Sequence, residues 1–152
     1  MLLIVGFLFM VFIFAGVSLV YGLYPIHTID TPAALVVIVP LLFFMFASKS
    51  GKIINRYIKT SFIKAHTYTE SELAGLSIAI RNTIRFILGA GGVGILLGII
   101  GMLRNLENRA YLGPNLAVAL LTVLYSIAIS FFVFFPTQAW AENKLAALKG
   151  DA

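Results

Sequence analysis

The chain has 152 residues, 61% of them hydrophobic and 11% charged, with no cysteine and a formal net charge of +5. Its mean hydropathy is +1.01, whereas a soluble domain is only about 45–50% apolar and about 25% charged, so this is an integral membrane protein. The length allows one bundle, the missing cysteine excludes a disulfide framework or a thiolate metal site, and basic residues placed beside apolar spans read as orientation and lipid contact, not nucleic-acid binding.

Met1–Tyr24 is apolar throughout and long enough for a first span, about 2–24, since about 20 residues suffice. It lacks the positive n-region and small-residue cleavage site of a signal peptide. Its phenylalanines Phe7, Phe9, Phe12 and Phe14 are expected to face lipid or a neighbouring subunit. Pro25–Thr31 reads as a short turn. Asp30 or Thr31 is a fitting N-cap, with Pro32 at the first helical position. The second span follows at about 32–48, and Pro40 predicts a kink in it.

Residues 49–85 form a polar, helical segment. Seven of the eleven Lys and Arg lie there: Lys49, Lys52, Arg56, Lys59, Lys64, Arg81 and Arg85. Lys144 and Lys149 follow the last span, and only Arg104 and Arg109 remain for the other side. The positive-inside rule therefore makes 49–85 and both termini cytoplasmic. Ile53, Ile54, Tyr57, Ile58 and Phe62 predict an amphipathic helix near the membrane surface. Thr69-Glu70-Ser71-Glu72 is a capping box, and Leu73, Leu76, Ile80, Ile84 and Ile87 carry one face onward. The spacing predicts one helix from about Glu70 to about Leu103, roughly 50 Å long at 1.5 Å per residue, longer than the bilayer core and so protruding into the cytoplasm.

The third and fourth spans, about 86–104 and 114–136, form a helical hairpin. Gly91, Gly94, Gly98 and Gly101 fall at i, i+3, i+7 and i+10, on one side of the first arm, where bare backbone lets a neighbouring helix approach closely. The second arm is expected to begin after a break at Gly113-Pro114. It carries a narrow stripe of small and polar residues at three- to four-residue spacing: Asn115, Ala119, Thr122, Ser126 and Ser130. Such hydroxyls can line a pore, or can simply bond to their own backbone or a neighbouring helix. Pro136 and Trp140 mark the inner membrane boundary, since Trp prefers the interfacial layer, and a short charged tail, 137–152, follows.

No Asp, Glu, Lys, Arg or His lies inside any of the four predicted spans. A proton-coupled transporter needs such a group at depth, so a small four-helix multidrug exporter fits poorly. His27 and His66 read as solvated surface groups, without ligand spacing around them, so no metal is expected. Thr122 and Tyr125 have no base or orienting acid nearby in sequence, and neither an enzyme nor a cofactor is expected.

The pattern GxxGxxxGxxxMLxNL, a short loop, then GPxxAVALLTxLY resembles the last two membrane helices of the MotA/TolQ/ExbB proton-channel family, most closely its MotA branch. It is carried here by Gly91, Gly94, Gly98, Met102, Leu103, Asn105, Leu106, Gly113, Pro114, Ala117–Thr122, Leu124 and Tyr125. The run IDTPAALVVIV is similar to the start of the second MotA helix. The resemblance implies an all-α, four-span subunit of a homo-oligomeric, pentameric ring in the bacterial inner membrane, packed through Gly91, Gly94, Gly98 and Gly101. Two copies of a single-span MotB/TolR/ExbD-like partner would carry the membrane aspartate through the ring. Asn115, Ala119, Thr122, Ser126 and Ser130 would line the pore. Ile95 and Val123 stand where the family generally places threonines, and Leu88 where MotA-like proteins commonly have proline. Thr122 could substitute, although one residue rotates a side chain by about 100°. The cytoplasmic segment is far shorter than the rotor-engaging domain of MotA. The implied function is a channel (stator) subunit of an ion-driven motor. The alternatives are a non-conducting scaffold of the same family and an unrelated four-helix transporter.

Overall fold

The computed structural model describes residues 2–20, 30–61, 68–104 and 106–150. The helices are α1 (Leu2–Val20), α2 (Thr31–Ala47), α3 (Lys49–Ser61), α4 (Glu70–Arg104), α5 (Arg109–Ala128) and α6 (Phe135–Gly150), with a π-helical segment, Ile129–Phe134, joining the last two. Among the described residues there is no strand. Two helices are long and apolar enough to cross a membrane, Glu70–Arg104 and the continuous Arg109–Gly150. A third crossing results if α2 and α3, bent by 91° at their junction, count as one span; Leu2–Gly16 is apolar but shorter. Phe62, His27, His66, Asn105 and most of the turn Pro25–Thr31 lie outside the described residues.

The N-termini form where capping chemistry sits. Asp30, not Thr31, caps α2: its carboxylate accepts from the Ala33 N–H at 2.9 Å, with Pro32 in the first turn. At α4 the Thr69 N–H donates to Glu72 Oε2 at 3.2 Å while Thr69 Oγ1 accepts from the Glu72 N–H at 3.4 Å, a reciprocal capping box. The helix then runs 35 residues to Arg104.

Three proline- and glycine-bearing positions shape the course of the helices. The assigned α2 helix runs through Pro40, and the pronounced bend comes after Ala47. There Gly51 lies directly on the Met45 carbonyl; a Cβ would stand 2.6 Å from the Met45 carbonyl carbon. Only a residue without a side chain lets α3 fold back so sharply. Second, Gly113-Pro114 breaks nothing. Asn108 caps α5 and its side chain accepts from the Ala110 N–H, so the helix is under way before Pro114. Third, the helix does not end at Pro136. Pro136 has no N–H for the Phe132 carbonyl, and the backbone widens into the π segment immediately before it. Gly6 of α1 packs on that same Phe132 carbonyl. The helix then continues as α6 to Gly150, so the charged tail is helical through that residue.

The core lies between α4 and the α5–α6 rod. Leu73, Leu76, Ile80, Ile87, Phe134 and Ala141 are buried there, with Val37 of α2 and Ile54 and Tyr57 of α3 against them. Phe44 stacks on Phe86 at 4.4 Å, fixing α2 to α4. Trp140 anchors α3: its ring lies 5.8 Å from Tyr57 and 5.5 Å from Tyr68, and Lys144 Nζ sits 5.4 Å above both Tyr68 and Trp140. α1 is held more lightly. Phe9 meets Phe132 edge-on at 5.9 Å, and Phe14 meets Tyr125 at 6.3 Å.

Candidate functional site: the glycine–hydroxyl hairpin

The glycines of α4 and the small-residue stripe of α5 face each other within one chain. Gly91 lies on Ser126, Gly94 on Thr122, Gly98 on Ala119, and Gly101 on the Asn115 side chain. A Cβ at Gly91 or Gly94 would stand 2.8 Å from the Cβ of its partner, closer than real atoms come. At Gly101 the nearest atoms, at 3.2 Å, belong to the flexible Asn115 side chain. Gly89 and Gly92 point into open space, so only one face of the glycine-rich run is in use.

The stripe is buried as a result. Thr122, Ser126, Ser130 and Ala119 are each 2% exposed or less. Buried hydroxyls need partners, and most find them on their own helix. Thr122 Oγ1 donates to the Val118 carbonyl at 2.6 Å and Ser126 Oγ to the Thr122 carbonyl at 2.9 Å. On the facing helix Thr83 Oγ1 donates to the Ala79 carbonyl at 2.8 Å. Ser130 is the exception: its Oγ, inside the π segment, is buried without a hydrogen-bond partner. The residues read from the sequence as a lumen stripe are thus brought together with the glycine face, on the seam of one hairpin.

Other contacts carried no signal in the sequence. At the end of the hairpin far from its loop, Glu142 Oε1 accepts from Ser77 Oγ at 2.8 Å, Arg81 at 2.8 Å and Gln138 Nε2 at 3.0 Å. These donors, Gln138 first, hold the Glu142 carboxyl below its usual range. The bridge ties α4 to α6 across more than sixty residues of sequence. Higher up, the Asp30 N–H donates to the Tyr125 hydroxyl at 3.0 Å, so α2 begins about halfway along the second arm. No group of His, Asp and Glu among the described residues could hold a metal ion.

No family model matches the chain. Individual proteins do. It is 48% identical over 46 residues to the chemotaxis protein PomA of Vibrio alginolyticus, covering 30% of this chain and 18% of that protein. It is 50% identical over 59 residues to motility protein A of Aquifex aeolicus, covering 39% and 22%. Over this stretch the chain is similar to motility protein A and PomA. A third relative, the uncharacterized protein YtxD of Bacillus subtilis, is 46% identical over 54 residues, 36% of this chain and 20% of its own. The chain spans about a fifth of the length of the curated relatives it matches.

In the hairpin Ile95 and Val123 each follow a seam residue, Gly94 and Thr122, that touch one another. Neighbouring residues on two antiparallel helices turn toward the same side. Ile95 and Val123 therefore share one flank of the hairpin at one level, both half-buried. By the same helical period Leu88 and Ile127, 43% and 45% exposed, continue that flank. These four positions are aliphatic, and Thr122 is turned away from them into the seam.

Proposed function

We propose that the chain is a ring-forming channel (stator) subunit of an ion-driven MotA-like motor, with four membrane crossings. Identical copies, five by family resemblance, would surround two copies of a single-span partner that carries the ionisable aspartate. The observation that carries this reading is the 48–50% identity to PomA and motility protein A over 46 and 59 residues, combined with a hairpin whose seam is closed on itself. Such a hairpin is a rigid stave. Its outward surfaces are apolar beyond the level of Tyr125, with Leu97, Ile100, Leu103, Leu116 and Leu120 all about half exposed or more. Those surfaces suit packing against further copies and lipid. No acid lies within the two predicted spans of the hairpin, and Asp30, at the level of Tyr125, uses its carboxylate to cap α2, so on this reading the titrating group belongs to the partner. Reconstitution with a candidate partner, comparing ion flux with its aspartate-to-asparagine variant, tests the proposal. Flux that disappears in the variant supports it, and equal flux in both contradicts it.

A second reading, a non-conducting scaffold, is favoured by one specific observation. Ile95, Val123, Leu88 and Ile127 offer no hydroxyl, and Thr122 and Ser126 have given theirs to backbone carbonyls. On this reading the wild-type complex passes no ion, and Ile95→Thr with Val123→Thr creates a conductance.

A further inference from the structure

A crevice of about 520 Å³ separates α1 and α2. It is walled by Phe7, Phe14 and Ala15 of α1, Ala34 and Leu41 of α2, and Val133 of the π segment, with almost no polar surface. α1 and α2 barely touch one another. Gly6, seated on the Phe132 carbonyl, draws the lower end of α1 against the π segment, and the crevice opens above that contact. A volume of this size falls within the range of ligand sites, and it is half-open to the flank of a chain that spans a membrane. Interiors do not sustain empty space on this scale.

What fills it is indicated by charge. Seven residues below Leu41 the chain turns by 91° into α3, whose inner face, Ile54 and Tyr57, is buried. Its outer face carries Lys49, Lys52, Arg56 and Lys59, all exposed, and α3 contains no acidic residue. Seven helical residues rise about 10 Å, a separation that one phospholipid bridges from headgroup to upper acyl chain. We infer that the crevice seats an acyl chain of an anionic phospholipid whose headgroup lies on the basic row of α3. The lipid then acts as the missing contact between α1 and α2, and α3 selects it by charge.

The test uses the full-length protein in mild detergent, offered equal phosphatidylglycerol and phosphatidylcholine and read by native mass spectrometry. Wild type retains phosphatidylglycerol in preference. Ala34→Phe, which fills the crevice, lowers retained lipid about tenfold, while Leu35→Phe, on the exposed face of the same helix, does not. Ala15→Phe blocks the crevice from α1 and replaces Ala34→Phe if circular dichroism shows that variant unfolded. Replacing Lys49, Lys52, Arg56 and Lys59 with Gln leaves lipid bound but abolishes the preference for phosphatidylglycerol. Lipid retained equally by the filled variants overturns the inference, as does a wild type without headgroup preference. An Ile38→Cys variant that cross-links between copies overturns it too, because a second copy would then occupy the crevice.

Discussion

Replacing Gly94 with alanine adds one methyl group at the tightest rung of the hairpin. That carbon would stand 2.8 Å from Thr122 Cβ and closer still to the Thr122 methyl. Thr122 cannot swing away, because it is fully buried and its hydroxyl is bonded to the Val118 carbonyl. The arms must separate, and forced overpacking costs about 1–3 kcal/mol. Against this, alanine in place of a mid-helix glycine contributes about 0.5–1 kcal/mol. The net expectation is a loss of about 1–2 kcal/mol. Gly92→Ala, two residues earlier with nothing within 4 Å of its Cβ, keeps only the gain. The two variants should differ by about 2 kcal/mol, some 30-fold in the unfolding equilibrium. Reversible unfolding in mixed micelles, followed by circular dichroism, measures the difference. Indistinguishable midpoints for Gly94→Ala and Gly92→Ala would refute the claim that the seam is closed.

Other outcomes follow from the same geometry. Gly101→Ala should be nearly neutral in that assay, since Asn115 can move, whereas Gly51→Ala, which meets the Met45 backbone, should lose about 1–3 kcal/mol by opening the α2–α3 corner. Tyr57→Ala removes a 6%-exposed ring from the Trp140 cluster and should cost about 3 kcal/mol, with α3 becoming accessible to protease. Glu142, its carboxyl held low, stabilises the α4–α6 bridge above the unfolded carboxylate range of about 4.3, and that contribution is lost as pH falls through the lower folded value. Both partners are nearly half exposed, so screening keeps the effect under about 1 kcal/mol; Glu142→Gln should flatten the acid limb of the stability profile.

Much of this arrangement can be read along the chain, and the exceptions have physical causes. The i, i+3, i+7, i+10 glycines and the Asn115–Ser130 stripe each define a face by helical period alone. That the two faces meet each other depends on how each helix is rotated about its axis, which spacing does not contain. Alone, the stripe is equally compatible with a lumen and with a seam. The Thr69–Glu72 capping box is a local signal and marks the start of α4 to the residue. The π segment had a signal, a proline inside a long apolar run, but Pro136 also fits the end of a span. Gly51 marked the α2–α3 corner, within Ser48-Lys49-Ser50-Gly51, and its meaning depends on Met45 lying six residues back in space as well as sequence. The Ser77–Arg81–Glu142 bridge joins distant residues with no pattern to connect them.

Because the chain contains no cysteine, single-cysteine variants report one position each. Ser126→Cys, nearly isosteric, places a thiol on the seam, and Ile95→Cys places one on the aliphatic flank. Labelling of assembled protein in membranes with a water-soluble thiol reagent tests the hairpin most directly. The seam thiol should stay unreacted until the protein is denatured, whatever Ile95→Cys does. Rapid labelling of Ser126→Cys in the native assembly would place the hydroxyl stripe on water and contradict the closed hairpin.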